Sequence, residues 1–146
     1  MSKVSESRLW NWLTSGTKQK FRKTLHMNRV ENLIMEGMPD VEGCLRGTQF
    51  WIELKCDKRP ADPSTLIKPK FRPAQVPWLE RRVGAGGRAY VLLQVGGGAK
   101  ASRYLVPGSR AYLVESGLTE AELKRKSVAD PQSAPTEIIM AAIGRH

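Results

Sequence analysis

Residues 49–56, Gln-Phe-Trp-Ile-Glu-Leu-Lys-Cys, alternate strictly between apolar and polar or aromatic side chains, and this stretch constrains the fold more than any other. Phe50, Ile52, Leu54 and Cys56 share one face of an extended chain, while Gln49, Trp51, Glu53 and Lys55 share the other, as in a half-buried strand. Just before it, Arg46-Gly47 offers a two-residue turn, because glycine accepts the positive backbone dihedral that tight hairpins need. With that turn, Leu45 faces Thr48 and Cys44 faces Gln49. Counting outward then places Asp40 directly opposite Glu53, whereas a slip of one residue would send the two carboxylates to opposite faces.

In the expected register the two Cα atoms stand roughly 4.5–5.5 Å apart. Like charges so placed destabilise the strand pair, so a cation is expected between them. A ligand set made only of oxygen suits a hard ion, Mg²⁺, with Mn²⁺ as a substitute. Lys55, two residues beyond Glu53 on the same face, reaches the same spot.

Pro39-Asp40 followed by Glu53-Leu54-Lys55 on the next strand resembles the signature of the PD-(D/E)XK nuclease superfamily. With Gly37-Met38 before it, Trp51-Ile52 within it and Gln75 opening a later helix, the set is most similar to the VRR-NUC branch and phage-type nucleases. The resemblance covers about the middle half of the chain. It implies a restriction-endonuclease-like α/β core with a central mixed sheet flanked by helices. It further implies Mg²⁺ held by Asp40, Glu53 and the backbone carbonyl of Leu54, with Lys55 and Gln75 beside it. Another acidic residue upstream is also implied, for which Glu31 and Glu6 compete; the spacing from Asp40 favours Glu31, whose plainer role is a surface carboxylate beside Arg29.

Length allows one domain with a real core: residues 25–114, preceded by a helical segment 5–24 and followed by helices within 119–143. Twenty-four basic residues against fourteen acidic give a net charge of +10, a field that attracts polyanions, DNA first. An anionic membrane ranks far below, since no basic amphipathic helix stands out and no apolar run is long enough to span a bilayer. The polar N-terminus does not read as a secretory signal, so a cytoplasmic location is expected. Cys44 and Cys56 fall on neighbouring strands and are expected as thiols. Together with His26 and His146 they show no zinc-ligand spacing, and His26 reads as structural.

Along the chain, Ser5–Leu13 reads as a helix ended by Gly16. Lys18, Lys20, Arg22 and Lys23 surround Phe21, either as a solvated face or as a phosphate contact. Residues 25–30 read as a strand leading into a loop. Four prolines break residues 57–74, a loop made basic by Lys58, Arg59, Lys68, Lys70 and Arg72; it is a DNA-facing flap or a solvated connection. Gln75–Val83 is a helix whose Arg81 and Arg82 point away from its apolar stripe, toward phosphates. Gln75 itself is either a helix-cap residue or a ligand of phosphate or water. Residues 88–95 are almost continuously apolar, the central strand reached by a helical crossover.

Gly96-Gly97-Gly98 is a turn and not a nucleotide loop, and no small-molecule cofactor is expected. Residues 103–106 read as a strand, 111–114 as a strand or short helix, and Thr119–Lys126 as a helix with a capping box. The apolar helix 136–143 packs on the domain or on a second copy, the one hint of a homodimer. The function expected is Mg²⁺-dependent hydrolysis of DNA phosphodiester bonds by an endonuclease of Holliday-junction-resolvase or VRR-NUC type. The charge of Lys55 beside two carboxylates favours electrostatic roles over that of general base. The alternative is a nucleic-acid-binding protein that keeps the fold without catalysis.

Overall fold

The computed structural model describes residues 3–30 and 36–144. Helix α1 (Lys3–Ser15) and the one-turn helix α2 (Lys18–Phe21) precede strand β1 (Leu25–Arg29). Strands β2 (Val41–Leu45) and β3 (Thr48–Asp57) form the hairpin, helix α3 (Gln75–Gly84) crosses over, and β4 (Ala89–Val95) and β5 (Ser102–Pro107) complete the sheet. Three helices follow, α4 (Ala111–Ser116), α5 (Glu120–Lys126) and α6 (Pro135–Ala142). The expected single-domain α/β architecture, a mixed sheet flanked by helices, is the one observed.

The five strands run in sequence order across the sheet, antiparallel except for the parallel pair β3·β4 that α3 connects. The middle position therefore belongs to β3 and not to residues 88–95, whose β4 lies beside it. Both strands are nevertheless covered on both faces. One layer packs Leu9 and Leu13 of α1 and Ile138 and Ile139 of α6 against Phe50, Ile52 and Leu54. The other packs Trp78 and Leu79 of α3, Val114 and Leu123 against Val91, Leu93 and Val106. At about 25 cal/mol per Å² of apolar surface removed from water, these two layers dominate the stability of the sheet.

The hairpin has the expected register: Leu45 pairs with Thr48, Cys44 with Gln49 and Val41 with Ile52, which sets Asp40 against Glu53 one step further on. Arg46 and Gly47 both take positive φ, 49° and 89°, the conformation of a two-residue turn that matches strand twist. Residues 111–114, open to two readings in the sequence, are helical. Thr119 and Glu122 make the reciprocal capping box at the start of α5. Helix α6 buries Ile138, Ile139 and Ala142 in the domain itself, so its apolar face is spent within the chain. Cys44 and Cys56 are free; they are not neighbours, because Cys44 stands opposite Gln49 and Cys56 opposite Gln94. No helix among the described residues is long and apolar enough to cross a membrane.

A candidate metal centre at the end of the hairpin

Strand β2 stops at Val41 while β3 runs on to Asp57, so the backbone edge of β3 beyond Ile52 has lost its neighbour. Asp40 fills the gap, its Oδ2 accepting from the Leu54 amide at 2.9 Å. Residues whose amide faces one side of a strand turn their carbonyl to the same side, so the Leu54 carbonyl also faces this open edge. The Asp40 carbonyl accepts from the Val30 amide at 2.6 Å, which ties the segment to the end of β1. Gly37 lets the Gly-Met-Pro-Asp segment lie against the start of α3: its φ is 83°, and a Cβ there would collide with the Ala74 carbonyl oxygen.

Glu53 is 2% exposed, Lys55 8% and Gln75 3%. The Gln75 side chain joins the other two, donating from Nε2 to Glu53 Oε2 at 2.8 Å and accepting from Lys55 Nζ at 3.1 Å. The same Gln75 Oε1 accepts from the Arg72 amide at 2.8 Å. Lys55 Nζ also donates to the Lys70 carbonyl at 2.7 Å, lies 3.5 Å from Glu53 Oε2, and sits over the Phe71 ring at 4.6 Å. Residues 70–72 of the Pro-rich loop thus wall in the ammonium through backbone and ring, a contribution that no local sequence signal marks.

Glu53 Oε1, in contrast, is buried and has no hydrogen-bond partner. Leaving a charged acceptor buried and unpaired costs several kcal/mol unless something compensates it. Burial first, and the Asp40 charge second, push the Glu53 carboxyl up to about 8, with Lys55 pulling the other way. Glu6, in the first turn of α1, has a pKa raised first by burial and second by Asp40, and lowered by Lys55 and Arg29. It therefore shares the electrostatic surroundings of the pair. Arg29 donates to Ser7 Oγ at 2.8 Å, holding this end of α1 to β1.

Among the described residues no group of three or more His, Cys, Asp or Glu could hold a metal ion. The donor set that fits a hard cation is narrower: the Asp40 and Glu53 carboxylates with the Leu54 carbonyl, all oxygen. The unpaired Oε1 is the atom that such an ion would satisfy.

The remaining residues singled out in the sequence scatter. Glu31 lies outside the described residues. Lys18, Lys20, Arg22 and Lys23 lie at the turn end of the hairpin, where the Thr24 carbonyl accepts from the Arg46 amide. At about 3.3 Å per residue along β3, that end is roughly 20 Å from Lys55. Arg59 is committed to structure: it bonds both Glu120 carboxylate oxygens at 2.8 and 3.0 Å, the Lys100 carbonyl at 2.7 Å and Ser102 Oγ at 2.9 Å. Arg82 lies over the rings of Trp51 and Trp78, which meet edge to face. Lys58, Lys68, Lys70, Arg72 and Arg81 are exposed.

No family model matches the chain, and no curated protein does. Among solved structures, the chain is similar to Hjc, a Holliday junction resolvase from Archaeoglobus fulgidus, with a TM-score of 0.44 and 18% identity over 78% of this chain and 98% of that one. A VRR_NUC domain is also similar, with a TM-score of 0.39 and 24% identity over 63% of this chain and 84% of that one.

Proposed function

We propose that the chain is a divalent-metal-dependent nuclease that hydrolyses phosphodiester bonds in DNA, with branched or otherwise structured DNA as its substrate. The observation that carries this reading is the buried, unpartnered Glu53 Oε1 across the hairpin from Asp40. Asp40, Glu53 and the Leu54 carbonyl would hold Mg²⁺, or Mn²⁺ in its place. When bound, such an ion supplies Lewis acidity at the phosphoryl oxygen and a lowered pKa for the attacking water. Lys55, fixed by Gln75, Lys70 and Phe71, places a cation beside the charge that grows on the phosphate. Gln75 keeps Glu53 and Lys55 in register by bonding both. Glu31 or Glu6 would add a further carboxylate. Arg29, Lys68, Lys70, Arg72 and Arg81 would meet phosphates around the centre, as would Lys18, Lys20, Arg22 and Lys23 further off.

The test uses supercoiled plasmid and a four-way junction, each with Mg²⁺ and with chelator, for the unaltered chain and for Asp40→Ala and Glu53→Ala. Cleavage that needs the ion and both carboxylates is the expected result. Binding that persists in every variant while no strand is cut in any would instead identify a nucleic-acid-binding protein without catalysis.

A further inference from the structure

A cleft of about 840 Å³ opens where β3 and β4 end, and Arg8, Lys58, Arg59, Lys100 and Arg103 all line it. We propose that this cleft holds the backbone phosphates of one unpaired nucleic-acid strand adjoining the bond cut at the Asp40–Glu53 centre. The proposal rests on the nuclease reading for its orientation, and on the cleft's own chemistry for its ligand.

Charge comes first. The acidic residue of the wall, Asp57, already accepts from the Lys58 amide at 2.8 Å, and the Arg59 charge is matched by Glu120 at 2.8 Å. Arg8, Lys58 and Lys100 are exposed, and among the described residues their side chains make no hydrogen bond or ion pair. Arg103 is held ready: its guanidinium stacks on Trp12 at 3.8 Å and its Nε donates to Gln94 at 3.0 Å, which leaves the two terminal nitrogens for a ligand. Arg8, Lys58, Lys100 and Arg103 stand against the single carboxylate of Asp57, so the wall keeps a net positive charge, and a chain of phosphates offsets it while using donors that are otherwise idle.

Position comes second. Ser5 lines the cleft, and the next residue, Glu6, feels the charge of Asp40; Asp57 lines it two residues past Lys55 on the same strand. The cleft and Glu53 therefore share β3, and α1 borders both the cleft and the surroundings of Asp40, which itself immediately precedes β2. Size comes third. The volume lies in the range of pockets that enclose one small ligand, about 300–1,000 Å³, enough for a short run of sugar-phosphate and too little for a double helix.

The experiment uses the full chain and forked DNA in which the arm beside the cut is either single-stranded or paired, with binding measured in Ca²⁺ and cleavage in Mg²⁺. The unaltered chain should favour the single-stranded arm. The triple variant Arg8→Gln, Lys58→Gln, Lys100→Gln should lose that preference, and the slope of log affinity against log salt on that arm should shrink by about 2, at roughly 0.7 per lost contact. Single Arg8→Gln and Lys100→Gln variants should each lose part of it, which guards against a misfolded triple variant. Lys124→Gln, Arg125→Gln, altered on the exposed face of α5 away from the cleft lining, should keep the preference. No arm preference in the unaltered chain, an equal loss on both arms in the triple variant, or full displacement of the arm by a mononucleotide at matching affinity would each overturn the assignment. If nothing is cut at all, the nuclease reading falls while the binding arms still decide the cleft.

Discussion

Glu53 differs from an ordinary buried carboxylate in that one oxygen is fully used, by Gln75 and Lys55, and the other not at all. Glu53→Gln keeps the volume and removes the need to bury an ionisable group whose Oε1 has no partner. In chelator, its thermal midpoint should equal or exceed that of the unaltered chain, by up to about 1–3 kcal/mol of stability. Added Mg²⁺ should raise the midpoint of the unaltered chain, because the ion binds only the folded site, and leave Glu53→Gln where it was. An Mg²⁺ response that survives the substitution, followed by scanning calorimetry, would remove Glu53 from the ligand set. Gly37 supports the partner carboxylate from a distance. Its Ala variant meets both a forbidden φ and the Ala74 carbonyl, which should cost about 1–3 kcal/mol and pull Asp40 off the Leu54 amide. Denaturant titration alongside cleavage should show activity falling further than stability does.

At the scale of elements, the Pro-rich excursion between β3 and α3 has a structural fastening that also serves the site. Arg59 bonds Glu120, and Ile67 pairs by its backbone with Leu118, so the loop is tied twice to the region around α5 before it delivers residues 70–72 to Lys55. Arg59→Ala should cost about 1 kcal/mol, the usual scale for a partly exposed but well-aligned pair. Bonding to Arg59 first, and to Tyr104 after burial has acted the other way, holds the Glu120 carboxyl below its ordinary value of 4.5. A carboxyl lowered on folding contributes stability above its unfolded pKa and loses it as pH falls through the folded one. Glu120→Gln should therefore flatten the acid limb of stability against pH below about 4.3, which a series of melts at pH 2–6 would read. The hairpin and its register were legible beforehand because two local signals agree, strict alternation in 49–56 and a glycine where the turn needs positive φ. Helices α3 and α5 were legible from their stripe and their cap. The Arg59–Glu120 clamp was not, since its partners stand 61 residues apart and each looks like a surface charge. The middle place of β3 was hidden for a related reason: Glu53 and Lys55 break its apolar run, although the fold buries them as deeply as their neighbours.

For the whole molecule, the balance of +10 acts at a distance and the cations divide into groups with different duties. Some are spent on structure, as Arg59 and Arg82 are; others, as at the turn end of the hairpin, face solvent far from the carboxylates. Replacing Lys18, Lys20, Arg22 and Lys23 with Gln should weaken affinity for all DNA forms alike and reduce its salt dependence, measured by fluorescence anisotropy between 50 and 200 mM salt. A loss confined to one DNA architecture would mean that this run reads shape. The double fastening of the loop leaves residues 61–66 between its two anchors exposed to solvent. A short epitope or fluorophore-bearing peptide grafted at Asp62–Ser64 should report on the chain in solution while leaving its melting midpoint and its response to Mg²⁺ unchanged.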